Sequence, residues 1–184
     1  MLVGLMLSVA WADGWTESTK SDGCTFYIGP RQGEFSPVRA VCDWDIPAAT
    51  LQGVVSKLDA HDDYFSSVAR AEKLPDGRYR QVHQASGISD REVILDMGAT
   101  PIDGGMRYWW KKASDQSALT GSNVEAIVDT GKWEVSDNGR GGSAVVYELM
   151  YDPGGSVPGF LVRWFQTSGT QELVKQLYVA AGGH

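Results

Sequence analysis

Three histidines, two cysteines and a few charges set among apolar neighbours are the residues of this 184-residue chain whose types could support chemistry. His61, His83 and the terminal His184 are separated from one another and from either cysteine, a spacing that offers no metal-ligand set. His83 falls within a predicted strand, where a half-buried, hydrogen-bonded ring is expected rather than a general base. No G-x-S-x-G nucleophile elbow occurs. Gly139-Arg140-Gly141-Gly142-Ser143-Ala144 fits G-x-G-x-x-A, but it follows Asp137-Asn138 in a hairpin turn with no helix after it. A dinucleotide site needs strand, turn and then helix, so no cofactor is expected. Cys24 and Cys42 are the only cysteines and belong to no CxxC motif. They lie on predicted strands Cys24–Ile28 and Val38–Asp45, joined by a turn near Gly33, and would face each other across that hairpin. A disulfide in an oxidising compartment and two separately buried thiols both fit this placement.

The formal charge is −7, and the basic residues are scattered, the longest run being Lys111-Lys112. That balance excludes nucleic acid, which requires clustered Lys and Arg, and equally a polybasic membrane anchor. Met1 to Ala12 is apolar apart from Ser8 and ends in Ala10-Trp11-Ala12, a small-x-small triplet. The segment reads as a signal peptide cleaved before Asp13, giving a secreted or periplasmic product, although no Lys or Arg precedes the apolar run. The other reading is an apolar tail or an extra strand; twelve residues are too few to span a bilayer. Residues 13–184 then form one domain, long enough to bury roughly 70% of its unfolded surface.

The elements that position these residues follow from pattern. Asp13 to Asp22 reads as a short capped helix or loop, followed by the cysteine-bearing hairpin. Leu51, Val54, Val55 and Leu58 fall at helical spacing behind Pro47, and His61 to Val68 reads as a second helical piece. Strands are predicted at Tyr79–Ser86, Ile88–Met97, Met106–Lys112, Val124–Val135 and Ser143–Tyr151, separated by Asp-Gly and Asn-Gly turn signals. In Tyr151-Asp152-Pro153-Gly154-Gly155-Ser156-Val157-Pro158, Pro153 and two glycines make a reversal, and Ser156 is placed to cap a final helix running to about Ala181. That helix carries two apolar stripes. Leu161, Val162, Phe165, Leu173, Leu177 and Ala180 form one, and Phe160, Trp164, Val174 and Tyr178 the other. The fold class is α+β: a curved antiparallel sheet of about seven strands wrapped around a long C-terminal helix.

Four stretches, in order, resemble START-type lipid-binding domains. They are Trp15 with Asp22-Gly23-Cys24-Thr25-Phe26-Tyr27; Val38-Arg39-Ala40 with Asp45-Ile46-Pro47-Ala48; Ile88-Ser89-Asp90-Arg91-Glu92-Val93; and Asp152 through Pro158. Glu92 departs from the usual aspartate but keeps the carboxylate, and His61-Asp62-Asp63-Tyr64-Phe65 replaces the family's common aspartate-to-tryptophan pattern. The resemblance implies a helix-grip fold with a deep pocket between sheet and terminal helix for a lipid, a sterol or a similar hydrophobic small molecule. Transient membrane contact would accompany transfer. Alternation and this analogy together nominate Arg91, Arg107 and Glu148 as polar groups of the pocket. Val93, Leu95, Trp109 and Trp133 from the sheet, with Leu161, Trp164 and Phe165 from the helix, would supply its apolar wall. For Arg91 the competing reading is a salt bridge tying its strand to the helix junction. The segments Gly98–Gly105 and Ser114–Ser122 are expected to gate the pocket. The leading function is non-catalytic ligand binding and transfer. A cyclase-like or hydrolytic enzyme would need Arg, Tyr and His converging on the cavity, and an interaction module would have the cavity filled by side chains.

Overall fold

The structure, a computed structural model, describes residues 14–184, so the apolar segment 1–12 and its predicted cleavage point lie outside the described residues. The chain opens with β1 (Thr16–Ser21), β2 (Cys24–Ile28) and β3 (Val38–Trp44), then α1 (Ala48–Val55) and a 3₁₀ turn at His61–Asp63. Next come β4 (Val68–Lys73), β5 (Tyr79–His83), β6 (Arg91–Ile102) and β7 (Gly105–Lys112). The short β8 (Val124–Glu125) leads into β9 (Val128–Asp137) and β10 (Ser143–Asp152). A C-terminal helix is built from α2 (Gly159–Trp164), a π turn (Phe165–Gly169) and α3 (Thr170–Ala180). Nine strands lie side by side in the order β1-β2-β3-β10-β9-β7-β6-β5-β4, all antiparallel, and β8 adds a parallel pair to β6.

Side-chain alternation assigns the two faces. Val38, Ala40, Cys42 and Trp44 of β3, Trp133 and Val135 of β9, and Val145 and Tyr147 of β10 are buried on the inner face. Leu51 and Val55 of α1 and Val174 and Leu177 of α3 close over them, making one core with Phe26 and Phe65. The sheet and the terminal helix thus bury each other's apolar surface, the layer arrangement expected of α+β folds.

Several sequence expectations are corrected. Among the described residues the sheet has ten strands rather than about seven. Residues 16–21 are the edge strand β1, not a helix or loop. Its residues are exposed or half-buried, so no apolar alternation marked it. The signal that could have found it is Asp22-Gly23, whose φ values of 50° and 74° make a tight hairpin turn. The predicted helical piece His61–Val68 shrinks to one 3₁₀ turn, and β4, which follows it, was missed because a bulge between Val68 and Arg70 breaks its alternation. Gly98–Gly105 is not a loop, since β6 and β7 continue to a turn at Asp103-Gly104. Ser156 does not cap the final helix. Pro158 takes the N-cap position, and its carbonyl accepts from the Leu161 and Val162 amides.

The two-stripe pattern of that helix has a physical explanation. The π turn inserts one extra residue, which rotates everything after it by about 100°. Val174 therefore joins Leu161 and Leu177 in the core instead of continuing the stripe of Phe160 and Trp164, which remain exposed. Thr170 Oγ1 donates to the Phe165 carbonyl at 2.7 Å, satisfying a carbonyl in the widened turn.

Candidate functional site

Strand parity carries a second set of side chains to the inner face, beyond the reach of α1. They are Gln81 and His83 on β5, Arg91 and Met97 on β6, Trp110 on β7, Asp129 on β9, and Leu149 and Tyr151 on β10. With Phe165, Gly169 and Leu173 of the C-terminal helix they enclose a cavity of about 140 Å³. Trp133 and Tyr147, with ring centroids 4.3 Å apart, form part of its wall, and Tyr151 reaches Phe165 edge-on at 6.2 Å. The loops bordering it are Phe35-Ser36 and the Gln84–Ile88 connection. Neither is a segment expected to gate it. Residues 114–122 instead clamp the far side of β6, where Gln116 bonds both the Ile94 amide and carbonyl and Thr120 bonds Glu92.

The cavity is not wholly apolar. Val55's carbonyl can only accept, so His61 Nε2, 3.3 Å away, is the protonated nitrogen and Nδ1 accepts from the Gln81 amide at 3.4 Å. Gln81 Oε1 then accepts from His83 Nε2 at 3.1 Å, which leaves His83 Nδ1 to accept from the Tyr151 hydroxyl at 3.0 Å. One backbone carbonyl thereby fixes both tautomers and the direction of four hydrogen bonds. Asp129, 2% exposed, takes the Trp110 indole N–H on Oδ1 at 2.8 Å. Its Oδ2 lies 3.8 Å from His83 Nδ1 and has no hydrogen bond among the described residues.

Burial dominates the electrostatics. It pushes the Asp129 carboxyl up to about 7, against the opposing Trp110 bond, and holds the His83 imidazole down at about 4. It also lowers His61 and raises the Tyr147 and Tyr151 phenols above their ordinary range. Between about pH 4 and 7 burial therefore favours a neutral pair, with the proton on the Asp129 carboxyl and none added to His83.

Of the ten residues nominated from sequence, Arg91, Trp133, Trp164 and Phe165 line this cavity. Arg91 is buried and ties β6 to the helix junction, as one reading anticipated, but through carbonyls rather than a salt bridge. Its guanidinium donates to Pro153 and Gly154, each at 3.2 Å, and to Ser89. Val93 and Leu95 face inward but are sealed against Ala126 and Trp110. Leu161 is buried away from the cavity lining. Arg107, Trp109 and Glu148 stand on the outer face, one residue out of phase. Arg107 pairs with Glu134 at 2.7 Å, Glu148 with Arg39 at 2.7 Å, and Trp109 packs over Gly98. Cys24 and Cys42, opposite each other in the β2–β3 register, are joined in a disulfide.

The residues that sequence reasoning missed obey the same parity. Asp129 is four residues before Trp133 on one strand, Tyr151 four after Tyr147 on another, and Trp110 rather than Trp109 shares the face of buried Tyr108. Counting by twos from Trp133 reaches Asp129; Trp109 and Glu148, nominated on their own strands, are out of phase with Trp110 and Tyr151.

No protein-family model matches the chain. It is 22% identical to an uncharacterized protein of Pseudomonas aeruginosa, over 94% of this chain and 89% of that one. Among solved structures it superposes on a STAR-related lipid transfer protein of Xanthomonas axonopodis with a TM-score of 0.78 and 20% identity, covering 92% of this chain and 99% of the other. Human StAR-related lipid transfer protein 5 gives a TM-score of 0.81 at 14% identity, covering 91% of this chain and 86% of the other. Human STARD10 gives 0.78 at 16%, covering 91% and 73%. With its large antiparallel sheet closed by a terminal helix, the chain has the START-type helix-grip fold.

Proposed function

We propose that this protein binds a hydrophobic small molecule or lipid in the cavity between sheet and C-terminal helix, and transfers it without covalent chemistry. The observation that carries the reading is the cavity itself. It is walled by Trp110, Trp133, Tyr147 and Phe165, and its volume of about 140 Å³ is roughly ten times what one water molecule requires. The same fold in proteins named for lipid transfer supports it. Phe160 and Trp164, one turn apart and 61% and 41% exposed, offer an apolar face for transient membrane contact during transfer. The Cys24–Cys42 disulfide favours an oxidising compartment, consistent with export of residues 13–184 behind a cleaved segment 1–12. Native mass spectrometry of the protein purified from its producing cells tests the binding. The expected result is a bound species released by organic solvent as an apolar small molecule; protein that is empty and takes up no fluorescent lipid or sterol overturns it. Intact mass of the exported form tests the leader, and a retained Met1 counts against it.

One observation favours a second reading, a cyclase-like or hydrolytic enzyme: Arg91, His83, Tyr151 and Asp129 meet at one cavity. Against it, Arg91 is occupied by three carbonyls and both ring nitrogens of His83 are engaged. The extracted ligand returned to the protein and recovered with unchanged mass supports transfer; conversion abolished in Asp129→Asn supports the enzyme.

A further inference from the structure

The cavity has one polar corner whose hydrogen-bonding capacity the fold leaves unused, and that corner constrains the ligand. Along the relay from Val55 to Tyr151 each nitrogen and amide is committed, yet the Tyr151 oxygen, having donated to His83 Nδ1, still has lone pairs to accept with. Asp129 Oδ2 lies 3.8 Å from the same ring nitrogen with no hydrogen bond of its own. Both atoms therefore converge on one spot of the cavity wall, deep among Trp110, Trp133 and Tyr147. Asp129 lines the cavity and the protein leaves its Oδ2 without a hydrogen bond, so a ligand that excludes water from this corner gains by bonding that oxygen itself.

We infer that the corner formed by Asp129 and Tyr151 receives a hydroxyl group, so that the ligand is a neutral, alcohol-headed apolar molecule. This rests on the cavity-binding reading above and narrows its substrate class. A hydroxyl has one donor and lone pairs to accept with, so it can accept from the protonated carboxyl while donating its single hydrogen to the phenol oxygen. A phosphate head finds no free counter-ion here. Among the described residues Arg91 is the only Arg or Lys lining the cavity, and three of its five N–H donors are held by the carbonyls of Ser89, Pro153 and Gly154. An anion would be brought beside Asp129 without compensation, which a desolvated site resists.

The test uses full-length protein and three eight-carbon probes, octan-1-ol, octane and octyl phosphate. Binding is read by the fluorescence of the cavity tryptophans Trp110 and Trp133. The expected result is octan-1-ol bound about tenfold more tightly than octane, with octyl phosphate weakest. In Asp129→Leu the alcohol and the alkane bind with the same affinity. Tyr151→Phe, which keeps the ring and removes only the hydroxyl, cuts the alcohol preference about threefold and serves should the first variant fail to fold. An alcohol bound no better than the alkane, a phosphate bound best, or an alcohol preference untouched in Tyr151→Phe overturns the inference. Failure of all three probes to bind instead overturns the cavity-binding reading itself.

Discussion

On the outer face of the sheet Arg39, Glu148, Lys132, Glu134 and Arg107 run in alternating sign across β3, β10, β9 and β7. Three residues from Lys132 along β9, and two strands beyond β7 at β5, Asp129 and His83 meet on the inner face, where burial favours the neutral form of each between about pH 4 and 7. The ladder is partly solvated: its side chains are 15% to 44% exposed, and Trp15 stacks on Arg39. Burial draws the Glu134 carboxyl up, but Lys132 and Arg107 outweigh it and hold the group below its ordinary value. Water screens one face and is excluded from the other, so similar groups become ions outside and a neutral hydrogen-bonded relay inside. The comparison teaches that polar residues on this sheet cannot be ranked as ligand contacts by type alone; the face decides what each can do.

Arg91 is the exception on the inner side, a buried ion among neutral groups, and removing it should have the largest effect. Arg91→Met leaves the carbonyls of Pro153, Gly154 and Ser89 without their charged donor at the junction that launches the terminal helix. Three carbonyls left unsatisfied at about 1–3 kcal/mol each give an expected loss of roughly 3 kcal/mol or more of unfolding free energy in urea titration. A loss below 1 kcal/mol would place Arg91 with the outer-face charges.

The neutral pair is tested by pH. His83, held near 4 in the folded protein, takes up a proton on unfolding below its ordinary 6.5, so its contribution to stability is lost as pH falls through that window. Asp129, raised to about 7, releases a proton on unfolding above its ordinary 3.8, so its contribution is lost as pH rises toward 7. Between about 4 and 6.5 the two slopes oppose. Asp129→Asn should therefore gain on wild type, and His83→Gln should lose on it, by about 1.4 kcal/mol per pH unit as pH rises from 4.5 to 6.5. His61, lowered by burial, adds an acid-side slope of the same sign as that of His83, and Tyr147 and Tyr151, raised by burial, stay neutral across this window. These terms are common to all three proteins and drop out of the differences. Denaturation at three pH values measures this, and parallel profiles would show that the proton is not where burial puts it.

How much of this was legible follows from the same physics. The cysteine hairpin, the central strands and the terminal helix were readable because their apolar residues repeat at the period of the element that buries them. β1 and β4 were not: one has no apolar face, and the other loses its phase at a bulge. Arg107, Trp109 and Glu148 were misplaced because size and charge were weighed above parity. Tyr108 and Trp110 take the inner face of β7, and that leaves Trp109 only the outer one. The polar corner was missed for a different reason. Parity with Trp133 puts Asp129 on the inner face, but its meeting with His83, Trp110 and Tyr151 appears only when β5, β7 and β10 are assembled beside it. The register that does so depends on contacts between residues far apart in sequence.

The smallest expected effect lies on the ladder. Arg107 and Glu134 are directly opposite across β7 and β9, with Nε donating to Oε1 at 2.7 Å, but Arg107's side chain is 44% exposed. An exposed ion pair gains little because solvent already stabilises both charges and ordering two long side chains costs entropy. A double-mutant cycle with Arg107→Ala and Glu134→Ala should give a coupling below about 1 kcal/mol, shrinking further in 0.5 M salt. The Glu134 side has the larger single-variant cost, since Lys132 also bonds that carboxylate at 3.1 Å and would keep only its 3.6 Å pairing with Glu148. A coupling as large as the loss in Arg91→Met, and indifferent to salt, would mean that the outer face excludes water as the inner one does, and the distinction between the two faces would fail.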